Sequence, residues 1–302
     1  MIDFSDVHVL GVGVACDDLF FCAPQANWGS NTRIQRLYRQ GGGKAATALV
    51  AAARLGAHCR LVSRLADDDA GRRIEDELRA YGVDTGWVQI THAGRSPQSL
   101  VHVDVVTGER TIYHYAADVV SGETDWDKAL AGVSVAVVDD YYPDLAEQAL
   151  LECQRRHIPS VADITPRVHN AHLVALCDHL IAPAHYLREQ GLPDAMEGLH
   201  RIRELGPQMA LITRGAAGCV WMDASGSGEA PAMDVNVVDT TGAGDAFHGA
   251  YACALAAGWP LTERIALSTA VAGLNCAVPG GRGGLPDART AWEAMQRLTK
   301  GC

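Results

Sequence analysis

The chain has 302 residues, 48% of them hydrophobic and 20% charged, and a formal charge of −11 at pH 7. This balance is typical of a soluble globular protein of one or two domains, and it argues against nucleic-acid and membrane partners, because polyanions are bound by clustered Lys and Arg. No segment reaches the roughly 18 apolar residues of a membrane span, and the first residues lack the basic-then-apolar order of a signal peptide. Nine cysteines stand singly, without a C-x-x-C pair, so we expect reduced thiols in a cytoplasmic protein rather than disulfides or a zinc site.

The first 120 residues predict a mixture of buried and half-exposed elements. An apolar run at 7–14 favours a buried strand, whereas 34–38 mixes apolar and polar side chains, as a strand with one face in water does. Runs at 100–106 and 111–115, joined by a turn that contains Gly108, predict a hairpin. The other elements predicted here are an extended segment at 19–22, a polar loop around 27–31, helices at 45–55 and 70–81, a strand at 59–62 and a polar connection after residue 81. We expect the half-exposed strands to form a small sheet that stands off the main domain as a lid.

From residue 133 onward, short apolar runs alternate with helical segments. The predicted strands lie at 133–138, 160–162, 180–182 and 209–213, and a loop tip is predicted at 225–228. The predicted helices lie at 145–156, 243–257, 261–276 and 288–298. Such an alternation with apolar strands indicates a parallel sheet that is covered by helices on both faces.

The most informative segment precedes the Ala-rich helix at 243–257. It reads Asp239-Thr240-Thr241-Gly242-Ala243-Gly244-Asp245. Small residues at a helix start leave backbone N–H groups uncovered, and the helix dipole adds partial positive charge, so an anion site is predicted. Asp245 within that site could accept the proton of an attacking hydroxyl while the N–H groups steady a transferring phosphoryl group. The alternative is an ordinary capped helix, since Asp and Gly are common at helix starts.

A glycine run, Gly41-Gly42-Gly43, stands before Lys44 and the next Ala-rich helix. It is not a P-loop, because the spacing of that motif would require a glycine where Tyr38 stands. The run lets backbone approach a ligand, and Lys44 at a helix start is favourable only beside an anion. Lys44 therefore either meets a phosphate or is a solvated lysine.

Two further segments could contact a small ligand. Asp17 and Asp18 end the first apolar region, where open parallel sheets bind ligands, and one carboxylate there could accept paired sugar hydroxyls. Periodicity does not decide which of the two points inward, and a solvated strand end is the alternative. Residues 213–218, with Thr213 first, suit either a backbone-lined nucleotide contact or a simple hairpin turn.

Together, these motifs make the chain similar to the ribokinase-like (PfkB) family of carbohydrate and nucleoside kinases over nearly its whole length. Residues 239–252 carry the resemblance most specifically, and Gly13 to Asp18 fits the family's G-x-x-x-x-D spacing. The resemblance implies an α/β fold with a Rossmann-like three-layer α/β/α core and a small β-sheet lid. It implies a single domain, residues 1–302, with the lid formed by about 18–40 and 98–116. It also implies ATP and Mg²⁺ as cofactors, leaves a K⁺ requirement open, and implies a homodimer formed through the lid.

The resemblance also implies roles for individual residues. Asp245 is the expected catalytic base, and the expected anion hole consists of Gly242, Ala243 and Gly244. The expected substrate-binding residues are Asp18, Gly42, Gly43, Lys44 and Thr47. The expected cofactor-binding residues are Thr213, Gly215, Gly218 and Asn275. Positions that often serve a monovalent cation in the family are matched by Asp239 and Thr241.

Within the family, the chain is most similar in appearance to the sulfofructose kinase type, through residues 41–47, 96–99, 163–166 and 279–287. A sulfonate needs cationic or N–H donors. The expected sugar-side segment 139–142 is instead acidic and aromatic, and the lid offers His102 and His114 rather than an arginine pair. We therefore expect a small uncharged ketose or related polyol, phosphorylated on a primary hydroxyl by ATP.

One departure from the family pattern keeps two alternatives open. Ala184 and Leu187 occupy the positions where many relatives carry an Asn-x-x-Glu pair that orders water around Mg²⁺. This departure motivates a non-catalytic sugar or nucleotide sensor as one alternative. A nucleoside kinase is the other, with Trp28 and Tyr141 as aromatic residues that could line a base site.

Overall fold

The computed structural model describes residues 2–26, 28–107 and 110–300, with side chains up to residue 298 in the last helix. The strands are β1 (His8–Val12), β2 (Cys16–Ala23), β3 (Arg36–Gly42), β4 (His58–Ala66), β5 (Val83–Thr91), β6 (Gln98–Asp104), β7 (Arg110–Tyr115), β8 (Val135–Asp139), β9 (Ser160–Asp163), β10 (His179–Pro183), β11 (Met209–Thr213), β12 (Cys219–Asp223) and β13 (Gly226–Ala230). The helices are α1 (Lys44–Arg54), α2 (Asp69–Ala80), α3 (Trp126–Ala129), α4 (Pro143–Arg156), α5 (Ala171–Leu176), α6 (His185–Glu189), α7 (Ala195–Glu204), α8 (Ala243–Ala256), α9 (Leu261–Cys276) and α10 (Ala288–Lys300).

A nine-stranded sheet forms the centre of the fold, in the order β13-β12-β11-β10-β9-β8-β1-β4-β5. It is parallel from β11 to β5, and β12 and β13 add an antiparallel edge. Helices α1, α2, α8, α9 and α10 pack on one face, and α3, α4, α5 and α7 pack on the other. The predicted three-layer α/β/α core is confirmed. Strand order reverses between β1 and β8, which opens a crevice at the carboxyl ends of these strands.

The half-exposed strands form a separate four-stranded sheet, in the order β3-β2-β6-β7. One face buries Phe20 and Val101 and carries Asp18 at its end, while the other face leaves Leu100 and Tyr113 about half exposed. The small sheet expected from the sequence is therefore present. The predicted loop around residue 27 and the turn at Gly108 include positions outside the described residues. Among the residues described, no helix has the length and apolar character needed to cross a bilayer.

Two sequence predictions differ from the structure. The polar connection predicted after residue 81 is strand β5, which pairs with β4 at the edge of the large sheet and is only partly buried beyond Thr85. The loop tip predicted at 225–228 is wrong at three of its four positions, because β13 begins at Gly226. Glycine suits that strand, since a Cβ at Gly228 would lie 2.6 Å from the Trp221 ring that covers it.

Helices α1 and α8 pack closely on one face of the sheet. A Cβ at Gly249 in α8 would lie 2.1 Å from the carbonyl oxygen of Ala48 in α1. Only glycine permits this backbone contact, and the Ala-rich sequence of both helices favours it. The starts of both helices consequently lie together, at the carboxyl edge of the sheet.

Candidate active site

Asp139, the last residue of β8, organises the crevice beside β1. Its side chain is buried, and its carboxylate accepts hydrogen bonds from the backbone N–H groups of Val14 at 2.9 Å, Ala45 at 3.1 Å and Tyr141 at 2.9 Å. Burial raises its pKa to about 6, against the opposing charge of Lys44 and these three hydrogen bonds. The carboxylate therefore joins the end of β1 to the start of α1.

Lys44 begins α1 and lies among acidic side chains. Its Nζ is 3.2 Å from Asp163 Oδ1 and 3.5 Å from Asp140 Oδ1. Burial alone would lower the pKa of the ammonium group, but Asp163, Asp140 and Asp139 together raise it above its usual range. The lysine is therefore a fixed positive charge inside the crevice rather than a freely solvated side chain.

Asp163, the last residue of β9, lies next to this lysine. Burial acts to raise the pKa of its carboxyl, but the charges of Lys44 and His248 outweigh that effect and lower it. His248 on α8 lies with Nδ1 at 3.7 Å from Asp163 Oδ2. This contact joins the second turn of α8 to the carboxyl end of β9.

The start of α8 carries the predicted anion hole and base. Gly242 has a φ of +72°, and a Cβ there would lie 2.2 Å from the carbonyl oxygen of Gly281, so only glycine fits. The N–H of Ala243 donates a long hydrogen bond, 3.3 Å, to the carbonyl oxygen of Thr240. Gly244, the next residue, is exposed. Burial raises the pKa of Asp245 to about 7; Asp163 and Asp139 add to this, while Lys44 and Arg282 oppose it.

This raised pKa predicts a pH dependence. A base must be ionised to accept a proton, so we expect kcat/KM for the acceptor to rise with pH up to about 7 and then level off. A carboxyl at its usual pKa of 3.8 would place the rise near pH 4 instead. Initial rates of ADP release between about pH 5 and 9, at saturating Mg-ATP, measure the profile. A flat profile over this range would contradict the assignment.

The structure separates Asp17 from Asp18. Asp17 is buried in an ion pair with Arg39 and another with Arg73, the latter at 2.8 Å. Asp18 is 9% exposed, and its Oδ1 has no hydrogen-bond partner among the described residues. Burial is the main reason that the pKa of Asp18 is raised. A buried oxygen without a partner is costly, which indicates that Asp18 is the carboxylate free to accept ligand hydroxyls.

The glycine run lies against Asp18. A Cβ at Gly42 would lie 2.0 Å from Asp18 Oδ2, and one at Gly43, whose φ is +91°, would lie 2.4 Å from the carbonyl oxygen of Val14. Both positions therefore require glycine. Thr47 is fully buried, and its Oγ1 accepts a hydrogen bond from Arg282 Nε at 3.1 Å. The structure thus brings Gly42 and Gly43 to Asp18 and turns Thr47 toward Arg282.

A cleft of about 550 Å³ opens on the other side of the α8 start. Three residues of the predicted nucleotide turn line it: Thr213, Gly215 and Gly218. Ala243 and Gly244 line the same cleft, so the turn and the helix start share one cavity. The rest of its wall is mostly apolar and includes Met233, Val235, Val237, Phe247 and Cys276. Such a wall suits the flat face of a nucleotide base, with the phosphates directed at the α8 start.

Asn275 and Asp239 stabilise the loops around the α8 start. Asn275 is fully buried and donates from Nδ2 to the carbonyl oxygens of Thr241 at 3.1 Å and Gly281 at 3.0 Å. Asp239 Oδ1 accepts from the N–H and hydroxyl of Thr241, and Oδ2 accepts from the N–H of Gly280. The monovalent-cation role of Asp239 and Thr241 remains a prediction. Asn275 does not line the cleft described above, and its cofactor-binding role also stays a prediction.

The positions that depart from the family pattern lie next to β10. Ala184 directly precedes α6, and Leu187 packs in the core, where a Cβ at Gly198 would lie 2.4 Å from it. Within residues 2–26, 28–107 and 110–298, no group of three or more His, Cys, Asp or Glu side chains could hold a metal ion. Asp139, Asp140 and Asp163 are the carboxylates at this edge of the sheet, around Lys44, and the replacement of the missing pair by Asp163 or another carboxylate stays a prediction.

The sequence did not reveal a role for Arg282. This arginine is 3% exposed and connects the glycine run to the loop at 279–284. Its only sequence signal was its position inside Gly-Gly-Arg-Gly-Gly. Its partners lie more than 200 residues away along the chain, so the pattern around it gave no indication of them.

This fold resembles solved structures closely. A crystal structure from Agrobacterium tumefaciens, of a protein provisionally named a ribokinase, superimposes with a TM-score of 0.90 over 97% of this chain and 99% of that one, at 28% identity. A ribokinase from Bacillus subtilis is 28% identical over 81% of this chain and 84% of its own length. A 2-dehydro-3-deoxygluconokinase from Thermoproteus tenax is 29% identical over 85% of each chain.

The fold and these similarities to known kinases identify the class of the protein. It is a phosphotransferase that uses ATP and has an alcohol group as acceptor. The model of the pfkB family of carbohydrate kinases matches residues 8–288. The chain belongs to this family and is a sugar kinase.

Proposed function

We propose that this kinase transfers the γ-phosphoryl group of ATP to a primary hydroxyl of a small uncharged ketose or related polyol. The observation that carries the proposal is the buried, partly unpartnered carboxylate of Asp18 beside Gly42. A carboxylate accepts hydroxyl donors well and repels an anionic group.

The charges around Asp18 support an uncharged acceptor. Arg39 and Arg73 pair with Asp17, and Arg282 pairs with Glu77. These described cations already have protein partners, so the carboxylate of a sugar acid would meet Asp18 without a free counter-charge. The T. tenax relative is named for such an acid and the B. subtilis relative for a neutral sugar. The arrangement of charges around Asp18 supports a neutral sugar as the acceptor of this kinase.

The proposed chemistry is a direct transfer. Asp245 accepts the hydroxyl proton while the sugar oxygen bonds to the γ-phosphorus and the bond from phosphorus to the ADP oxygen breaks. The backbone N–H groups of Gly242 to Gly244 would stabilise the charge on the phosphoryl oxygens. Lys44, which pairs with Asp163 and Asp140, would partly offset the negative charge of those carboxylates near the phosphoryl group. Because the described residues contain no cluster of three possible ligands, Mg²⁺ would be bound mainly by the nucleotide phosphates, whose charge it would neutralise, and Asp163 would be its protein ligand.

We propose that the small sheet is a lid, formed by about 18–40 and 98–116 of a single kinase domain. Arg110 of β7 donates a hydrogen bond to Thr240 just before α8. This contact supports closure of the small sheet over the crevice. Closure would exclude water, which otherwise competes with the sugar for the phosphoryl group. The use of ATP and the eight free cysteines that the structure describes support a cytoplasmic location.

The test is ADP release from Mg-ATP across a panel of ketoses, aldoses, polyols, sugar acids, sulfosugars and nucleosides, with and without K⁺. We expect turnover on neutral ketoses or polyols. Preferential turnover on acids, sulfosugars or nucleosides would overturn the proposed substrate class. Dependence on K⁺ would support the cation role of Asp239 and Thr241, and turnover that is indifferent to K⁺ would remove it.

The outer face of the small sheet supports a homodimer. Leu100 is 48% exposed and Tyr113 is 55% exposed on neighbouring strands of that face. Leu100→Glu is expected to convert dimers to monomers in sedimentation analysis, because it places a charge in the proposed apolar interface. Leu151→Glu on α4, where the leucine is also 48% exposed, is the matched control and should remain dimeric. A wild-type chain that sediments as a monomer would contradict the proposal.

A further inference from the structure

All three guanidinium nitrogens of Arg282 donate hydrogen bonds, and their acceptors lie on three different segments of the chain. Its Nη2 donates to the carbonyl oxygen of Gly42 at 2.8 Å, Nη1 donates to Glu77 at 3.0 Å, and Nε donates to Thr47 at 3.1 Å. The side chain is 1% exposed. A buried charge with this many partners is costly to rearrange, so it holds these segments in one geometry.

On the sugar side, Arg282 and Glu77 hold the glycine run from both directions. Glu77 accepts from the N–H of Gly41 at 2.6 Å, while Arg282 donates to the carbonyl of Gly42. A Cβ at Gly41 would lie 2.3 Å from Arg282 Nη1, so the guanidinium group leaves no room for a side chain at this position. Gly42 in turn contacts Asp18, the carboxylate proposed to bind the sugar.

On the phosphate side, the residues next to Arg282 contact the start of α8. The carbonyl oxygen of Gly281 lies where a Cβ of Gly242 would be, and Gly280 donates to Asp239 at 2.9 Å. The backbone N–H of Arg282 itself donates to Gln40 of β3 at 3.1 Å. The loop at 279–284 therefore touches the glycine run on one side and the anion hole on the other.

We propose that Arg282 is a positioning residue that fixes the distance between the acceptor hydroxyl and the phosphoryl group. The proposal rests on the sugar-kinase function proposed above and assigns that site a residue that touches neither substrate. Misplacement by about 1 Å costs on the order of 10²-fold in rate. When the hydroxyl is misplaced, water takes its place as acceptor, so that ATP and water give ADP and inorganic phosphate instead of a sugar phosphate.

Arg282→Met tests the proposal, with Arg64→Met as the matched control. Arg64 is 6% exposed, and its guanidinium hydrogen-bonds Gln89 and Asp144, so it is an equally buried arginine with different partners. We measure melting temperature, sugar affinity by calorimetry, kcat, and the ratio of ADP to sugar phosphate formed. Arg282→Lys and the double variant Glu77→Gln/Arg282→Met are included in case the single variant does not fold.

For Arg282→Met we expect kcat to fall about 10²-fold, sugar affinity to change only a few-fold, and ADP to exceed sugar phosphate. Arg64→Met should lose comparable thermal stability and keep a ratio of one. A ratio of one in every folded Arg282 variant, with kcat unchanged from the Arg64 control, would overturn the positioning role. A wild-type enzyme that phosphorylates no sugar would overturn the proposed function itself, and the two failures are therefore distinguishable.

Discussion

Asparagine in place of Asp245 is expected to lower kcat by about 10²- to 10⁴-fold, because the acceptor hydroxyl loses the base that takes its proton. The amide has nearly the same shape as the carboxylate, so sugar and ATP affinities should stay within a few-fold of wild type. Single-turnover measurement of sugar phosphate formation, together with calorimetry for both ligands, separates the chemical step from binding.

Asp69→Asn is the matched control, because Asp69 also lies in the first turn of a helix, α2, but is exposed and pairs with Arg72. It should leave kcat unchanged. Turnover within about threefold of wild type for Asp245→Asn would remove Asp245 as the base and require another proton acceptor.

The same substitution should stabilise the fold at alkaline pH. The pKa of Asp245 is raised in the folded chain from 3.8 to about 7, so the folded state opposes ionisation of this group. This penalty grows as pH rises from about 4 to about 7 and stays constant above that. Asp245→Asn should therefore raise the melting temperature at pH 8 and leave it nearly unchanged near pH 4. An equal change in melting temperature at both pH values would show that the stabilisation does not come from removing the charge of Asp245.

Alanine in place of Asp18 is expected to raise the sugar KM by about 10²-fold or more, since hydrogen bonds to a charged group contribute about 1.5–3 kcal/mol each. ATP binding should be unchanged, because the nucleotide cleft lies on the other side of the α8 start. Steady-state kinetics with each substrate varied in turn measure both effects.

Asp17→Asn is the matched control for this prediction. It removes the neighbouring carboxylate, which pairs with Arg39 and Arg73, so it should lower the melting temperature and leave the sugar KM near wild type. If Asp17→Asn raised the sugar KM and Asp18→Ala did not, the sugar site would have to be assigned to the opposite face of β2.

Local patterns predicted much of the fold but less of the site. The apolar runs that became β8, β9, β10 and β11 were recognisable because a buried parallel strand needs an unbroken apolar sequence. Strand β5 was missed because it is an edge strand whose two faces both mix polar and apolar side chains, so its sequence shows no alternation that distinguishes it from a loop.

Site residues were predictable where a local motif carried them. Gly242 to Asp245 formed such a motif. Periodicity did not choose between Asp17 and Asp18, and only the family spacing from Gly13 favoured Asp18. The ion pairs that occupy Asp17 involve Arg39 and Arg73, which no pattern within β2 could reveal.

The backbone contact between Gly249 and Ala48 limits how such an enzyme can acquire new acceptors. Helices α1 and α8 touch without intervening side chains. Substitutions along these helices therefore cannot move the sugar site at the start of α1 away from the anion hole at the start of α8 without unpacking the core. Changes in acceptor preference are accessible in the small sheet instead, where Ser99 and His114 share the row of Asp18. A library confined to these two positions would sample new sugars while leaving the phosphoryl-transfer geometry intact.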